Sequence, residues 1–561
     1  MGTLLARPSE IKIPPRPRCG LIIVAVYLIL TLLLTLPLTF HLTTHLPFGG
    51  DAFQTVWDFW WLEKCYSEKI NPLYTTYMFA PEGTSLALHD MTWSNSLLSV
   101  PLQWVLGNRI LIFNLFWLAS IVFSGYFMYL YSRRHLGDGI PAFAAGCLFA
   151  FSTYHLHHGP QLGSMWIGWL PLFQLYLEEA LSSGGRWKSA AKASIILAVA
   201  AYTHWYLAAF CIFQLLQTFI WNGFTFRPFP AASIVRSIFI LAAAAILTLP
   251  ILLPAAIESG KVENVELKIE QRERYGVDAA SLIIPSPRHP VWKNYIKPLY
   301  TRISGNITES PVYPGWVLWL LVIAALIGRA AGRWRFVFFS FCFLILALGT
   351  KPHFLGHEAA VPLPYKLFQY IPGLDFIRVP SRFMAPAMLF LSLLAAQGLA
   401  YIIGKIRGVK APIYIGVVII LLALFDTTIL PLPTRDTTKY SDFYSTLAKE
   451  EGDFLIFDYP AYTYQEYLYY QTIHEKPIIS GYGIYLSPER TEWLISLNDE
   501  PWNIEGLNVR YVILHKGYKN PSRKGTISYE DYEFPPMVYF WEATRYIIIH
   551  DDRYIRVFKV P

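Results

Sequence analysis

Leu21 to Phe40 reads LIIVAVYLILTLLLTLPLTF, twenty residues without a charge. At 1.5 Å per residue a helix of this length crosses roughly 30 Å, the thickness of bilayer hydrocarbon. A signal peptide is the competing reading, and the basic residues before the run fit one. The apolar stretch is nevertheless longer than an h-region, and no small-x-small cleavage pattern follows it. The run is expected to be a retained first membrane helix.

Outward from that stretch the pattern repeats. Of 561 residues, 54% are hydrophobic and 15% charged, whereas an ordinary soluble domain is about 25% charged. Further apolar runs fall near 110–131, 140–155, 162–179, 190–205, 206–222, 234–257, 312–328, 334–350, 383–404 and 411–432, which makes eleven with the first. Basic clusters stand at every second connection: Arg7/Lys12/Arg16/Arg18, Arg133/Arg134, Arg186/Lys188/Lys192, Arg227/Arg236, Arg329/Arg333/Arg335 and Lys405/Arg407/Lys410. Lys and Arg near helix ends stay cytoplasmic. The alternation predicts a multi-pass cell-membrane protein with its N-terminus in the cytoplasm and its C-terminus outside.

On that topology seventeen Lys and Arg face the cytoplasm against Glu10, Asp138, Glu178 and Glu179, a balance of +13, so the chain's net +7 leaves −6 outside. The basic surplus therefore reflects orientation and points to no nucleic-acid partner. Thirteen of the fourteen histidines also fall outside or at the outer edge. The five cysteines (Cys19, Cys65, Cys147, Cys211 and Cys342) show no CxxC or metal-like spacing, which excludes a disulfide framework.

The expected fold is an all-α polytopic membrane domain, residues 1–432, of about eleven transmembrane helices, with a small C-terminal α/β extracytoplasmic domain, 433–561. Three long outer segments interrupt the membrane part: 41–109, 258–311 and 351–382. The first is rich in Trp57, Phe59, Trp60, Trp61 and Trp93, and Asp51 to Leu62 suits an amphipathic helix lying in the membrane interface. In the tail, Phe454–Phe457 and Arg510–Leu514 read as buried strands, and Tyr546–His550 with Tyr554–Val560 as a hairpin. Asn306-Ile307-Thr308 matches an N-glycosylation sequon.

Transporters keep ionisable residues inside the membrane, yet here the apolar runs hold almost none, Asp426 being the main exception. Acidic residues collect instead at outer helix ends. Asp51 follows Gly49-Gly50 directly after the first helix and is the strongest single candidate for chemistry; the other reading is a helix cap, worth about 1 kcal/mol. Asp58 is seven residues on, on the same helical face. Glu82, His89 and Asp90 follow in the same loop. His89 or Asp90 could each hold a metal or position a sugar. Tyr154-His155-Leu156-His157-His158 places His157 and His158 at the outer end of the third run, as hydrogen-bonding groups or metal ligands. Asp375-Phe376-Ile377-Arg378-Val379-Pro380-Ser381-Arg382-Phe383 sets Arg378 and Arg382 four residues apart at the outer start of the tenth run. Both guanidinium groups are expected at headgroup level, as phosphate ligands or as snorkelling cations.

With these residues in place the chain resembles the GT-C superfamily of membrane glycosyltransferases, which includes protein O-mannosyltransferases and bacterial lipid A sugar transferases. The likeness covers roughly residues 20–432. It rests on the helix count, the long first outer loop, Gly50-Asp51 followed by Val56-Trp57-Asp58, Phe79-Ala80-Pro81-Glu82-Gly83, Tyr154 to His158, and Arg378-Val379-Pro380-Ser381-Arg382-Phe383. The resemblance implies inverting transfer of a hexosyl or pentosyl group from a polyprenyl-phosphate donor to a lipid, glycan or protein acceptor on the outer leaflet, among membrane lipids. Asp51 would act as base, and Arg378 and Arg382 would stabilise the leaving phosphate. The first loop lacks the Asp-Glu or Asp-x-Asp pair of better-known members, so the metal ligands are unknown. No cofactor is specified, and a divalent metal stays open. A lipid or polysaccharide exporter, or a membrane assembly protein of the same fold, is the alternative.

Overall fold

The computed structural model describes residues 17–182, 184–225, 231–260, 272–305, 309–371, 374, 376–461, 464–482, 486–498, 500–504, 506–516 and 546–561. Arg7, Lys12, Arg16, Arg227, Asp375 and the Asn306-Ile307-Thr308 sequon lie outside these. Each of the eleven apolar runs carries a helix: Pro17–Leu34, Arg109–Leu136, Ile140–Ala150, Trp169–Leu181, Trp187–Thr203, Trp205–Thr225, Ala231–Ser259, Trp316–Ile327, Arg333–Ala347, Met384–Gly404 and Lys410–Thr427. Among the described residues, five helices are long and apolar enough to cross a membrane. They are Arg109–Leu136, Trp205–Thr225, Ala231–Ser259, Pro380–Gly404 with its 3-10 entry turn, and Lys410–Thr427. The chain is a mostly helical, multi-pass membrane protein.

Several runs give shorter helices because the sequence interrupts them. The third ends at Ala150, and the Ser152 hydroxyl then accepts the His155 N–H at 3.4 Å to start a new helix, Thr153–His157. That break lifts the histidine cluster out of the preceding helix axis.

The chain forms two compact units. The first comprises Met1–His41, Asn114–Leu249 and Asn264–Pro433, and the second Leu42–Phe113, Pro250–Glu263 and Thr434–Pro561. The first unit is built around Met384–Gly404, in which every residue from Met384 to Leu399 is buried. Gly398 lies so close to the Leu321 carbonyl that no Cβ would fit between them. Small residues let membrane helices approach in this way. Ala231–Ser259 is peripheral by contrast, with Ile234, Ile238, Ile246, Leu253 and Ile257 exposed as a lipid-facing surface requires.

Asp426, the acid that stood out in the apolar runs, is a structural cap. Its Oδ1 accepts the Tyr313 hydroxyl at 2.8 Å, and its Oδ2 accepts the Val317 N–H at 3.0 Å, one of the unpaired donors at the start of Trp316–Ile327.

The second unit joins the long loop of residues 42–113 and the tail around one aromatic core. Strands Leu455–Tyr459 and Val509–His515 run parallel. Ile555–Lys559 then pairs antiparallel with Val509–His515 and with Ile547–Asp551. The loop is stitched onto this sheet's surroundings by backbone bonds: Ala80 N–H to the Ile478 carbonyl, Ile478 N–H to the Tyr77 carbonyl, and Phe79 N–H to the Ser480 carbonyl, each 3.0 to 3.1 Å.

The expected interfacial helix is corrected here. The helix runs Asp51–Glu68, but Ala52 to Leu62 are all buried inside the unit. The indole N–H of Trp57 donates to Gln471 Oε1 at 2.8 Å, that of Trp61 to the Pro72 carbonyl at 3.1 Å, and that of Trp60 to Glu475 Oε1 at 3.2 Å. A buried tryptophan needs such a partner, and protein supplies it where a lipid interface was expected to.

Candidate functional site

In the second unit, Asp51 opens its helix right after Gly50, and its Oδ1 accepts the Gln465 amide at 3.3 Å. Gly50 makes that approach feasible, because a Cβ there would collide with the Gln465 side chain. Asp51 is half-buried.

Two turns on, Asp58 is fully buried, and its Oδ1 lies 2.9 Å from His89 Nε2. The same His89 nitrogen is 3.2 Å from Gln54 Nε2, and the imidazole meets the Trp57 ring edge-on with centroids 6.2 Å apart. Asp58 Oδ2 is buried without a hydrogen-bond partner among the described residues. Burial pushes the Asp58 carboxyl up to about 6, with the His89 contact pulling the other way and Asp90 adding to the rise. His89 is thus tied to Asp58, which corrects the expectation that it works singly on a metal or a sugar. Asp90 is half-buried beside this pair. Glu82 stands on an exposed turn and pairs with Arg490 at 2.9 Å.

In the first unit the histidine cluster and the arginine segment meet through Glu309, a residue the sequence pattern did not single out. Glu309 Oε2 receives His158 Nε2 at 2.9 Å and the Ser381 hydroxyl at 2.9 Å. Its Oε1 receives Arg382 Nη2 at 3.0 Å and Nε at 3.2 Å. Burial is the largest influence and would raise its pKa. The Arg382 and His158 charges and hydrogen bonds together outweigh burial and hold the carboxyl well below the usual carboxylate range.

His158 turns its other nitrogen, Nδ1, to the Tyr154 carbonyl at 2.8 Å and lies against the Tyr154 ring with centroids 4.2 Å apart. Arg382 sits over the Tyr206 ring at 4.8 Å and reaches Gln161 Oε1 at 3.3 Å. It is therefore buried in an ion pair, which corrects the expectation of two guanidinium groups at headgroup level.

Arg378 differs. The Tyr206 hydroxyl accepts the backbone N–H groups of Arg378 at 2.8 Å and Val379 at 2.9 Å, which fixes the chain on either side of the side chain. The Arg378 guanidinium is half-buried and has no acceptor among the described residues. Of the other histidines, His157 Nε2 bonds the Ser286 hydroxyl at 2.7 Å, while His155 bridges the carbonyls of Ala150 and Met165, both at 2.7 Å. Among the described residues no three His, Cys, Asp or Glu side chains converge as a metal site. Cys65, Cys147 and Cys211 are buried free thiols and Cys342 is a half-buried one.

Residues 22–428 match the family described as a domain of unknown function, DUF6311. No curated protein matches the chain. Among solved structures, the arabinofuranosyltransferase AftD from Mycobacteria aligns with a TM-score of 0.54 at 13% identity, over 89% of this chain and 36% of that one. ArnT from Cupriavidus metallidurans, bound to undecaprenyl phosphate, aligns with a TM-score of 0.49 at 9% identity, over 97% of this chain and 98% of that one. The Archaeoglobus fulgidus oligosaccharyltransferase, tethered with an acceptor peptide, gives 0.48 at 10% identity, over 89% of this chain and 69% of that one. The likeness to AftD is one of fold, and it bears out the GT-C membrane glycosyltransferase fold expected from the sequence.

Proposed function

The chain belongs to the DUF6311 family, and on that premise we propose that it is an outer-face membrane glycosyltransferase using a polyprenyl-phosphate sugar donor. The acceptor is a hydroxyl of a lipid, glycan or protein. Asp51 carries the reading, as a half-buried carboxylate that accepts the Gln465 amide on the first turn of its helix, in a chain with the GT-C fold. The membrane part, 1–432, is oriented by its basic clusters with the N-terminus in the cytoplasm, which sets Asp51 and the C-terminal segment 433–561 outside.

In the proposed step the Asp51 carboxylate takes the acceptor hydroxyl proton while that oxygen attacks the anomeric carbon from the face opposite the phosphate. The carbon–oxygen bond to phosphate breaks, and polyprenyl phosphate leaves with the bonding pair, inverting the configuration. The first unit by itself offers Arg378, whose guanidinium has no acceptor among the described residues, as a ligand for a lipid phosphate. Arg382, His158, Ser381 and Glu309 hold the segment that presents Arg378. His157 anchors a neighbouring loop, and Asp58 with His89 braces the Asp51 helix. Glu82 and Asp90, in the second unit with Asp51, are proposed as sugar-contacting groups.

The exporter alternative needs ionisable groups able to change partners along a path. Asp426 is bound to Tyr313 and Val317, and Glu178 is paired with Arg335 at 2.8 Å and bonded to Tyr131 at 2.8 Å, which favours fixed structure over a relay. Purified protein supplied with labelled polyprenyl-phosphate sugars should transfer label to an acceptor extract. Absence of transfer with every donor would overturn the reading.

A further inference from the structure

The turn Pro285-Ser286-Pro287-Arg288-His289-Pro290 has no part in the reaction above. Three prolines in six residues restrict φ at positions 285, 287 and 290, and side chains pin the turn on both sides of Arg288. The Ser286 hydroxyl bonds His157 Nε2 at 2.7 Å and accepts the Arg288 N–H at 3.0 Å. His289 Nδ1 accepts the N–H groups of Val291 and Trp292, each at 3.2 Å, so its Nε2 carries the proton and donates to the Phe425 carbonyl at 2.9 Å. Ser286 and His289 are fully buried, and Arg288 between them is half-buried on a backbone with little freedom to carry it back into water.

The Arg288 guanidinium has neither a carboxylate nor any other acceptor among the described residues. Burial lowers its pKa from the ordinary guanidinium range, and no neighbouring charge offsets the shift. Arg382, also withdrawn from water, has Glu309 in direct contact. A cation taken out of water without a counter-charge is costly, and a bound anion removes that cost. The planar fork of a guanidinium matches two oxygens of a phosphate ester.

We infer that Arg288 is a binding residue for the phosphate ester of a membrane lipid, presented by the proline turn that His157 and Ser286 anchor. Two lipids share this chemistry: a polyprenyl phosphate and a bulk anionic phospholipid. Only the first rests on the glycosyltransferase reading.

The test is native mass spectrometry of the full chain in nanodiscs, titrated separately with sugar-free polyprenyl phosphate and with phosphatidylglycerol. Arg288→Gln should weaken one of them roughly 10-fold or more, as expected for a lost charge-assisted pair. Arg288→Lys, which keeps the charge without the fork, should fall between. The ligand-free unfolding midpoint of Arg288→Gln should stay level or rise, because an uncompensated charge has been removed. A loss confined to polyprenyl phosphate assigns the site to the donor, and a loss confined to phosphatidylglycerol assigns it to headgroup anchoring. Unchanged affinity for both overturns the inference, whatever happens to the midpoint. Wild-type protein that binds through Arg288 but transfers no sugar would remove the enzymatic reading and leave this site standing.

Discussion

Glu309 in the first unit and Asp58 in the second are both buried carboxylates with a histidine nitrogen 2.9 Å away. Burial raises the pKa of both, yet the net shifts are opposite. Glu309 takes four hydrogen bonds from three side chains, two of them from the Arg382 guanidinium, and its carboxyl is held well below the usual range. Asp58 has His89 on one oxygen and no partner among the described residues on the other, and burial pushes it up to about 6. Burial alone does not decide the charge state of a carboxyl; the number of donors facing it does. The first arrangement is a clamp, while the second is a carboxyl whose pKa burial raises to about 6.

The largest break in that contrast should come from Glu309→Gln, which leaves Arg382 and His158 buried without their anion. Removing one partner of a buried pair costs about 3–5 kcal/mol, read as a fall in unfolding midpoint by fluorescence-detected size exclusion. Adding Arg382→Met to that variant should recover part of the loss. A double variant less stable than Glu309→Gln would deny that the clamp is electrostatic.

The pH dependence should separate the pairs next. The folded pKa of Asp58 lies above its unfolded value, so the stability it contributes is fully present below about 4 and is lost as pH rises through about 6. The shift is worth on the order of 3 kcal/mol. Asp58→Asn should flatten stability between about pH 4 and pH 6, and a wild-type profile already flat there would contradict the assignment. Glu309 runs the other way: its contribution is present above the ordinary glutamate value of about 4.3 and is lost only as pH falls through its depressed folded value. The smallest effect belongs to Glu82, whose exposed pair with Arg490 should be worth less than about 1 kcal/mol on Glu82→Gln. A transfer rate that falls sharply in that variant would instead show that Glu82 touches substrate.

What could be read from the chain follows the range of each interaction. Apolar runs and interruptions are local, so each run carries a helix and the break after Ala150 marks where Ser152 starts the next. Asp51 at its helix start and the strands at 455–459 and 509–515 were legible for the same reason. The Arg382 ion pair escapes a sequence reading because its partner is 73 residues away, and nothing near Glu309 marks it as a clamp. His89 was misread because Asp58 lies 31 residues earlier. The aromatic face of Asp51–Glu68 misled for a different reason. Tryptophans that suit a lipid interface also suit a protein core, and only the bonds to Gln471, Pro72 and Glu475 distinguish the two.

The direct test of the account is the transfer rate of Asp51→Asn against wild type, with labelled polyprenyl-phosphate sugar and matched unfolding midpoints. The amide keeps the shape of the carboxylate and its bond to Gln465, but it cannot take a proton. The expected rate is lower by about 10²–10⁴, the usual contribution of a positioned base, with donor binding retained. An Asp51→Asn protein that transfers at the wild-type rate would contradict it.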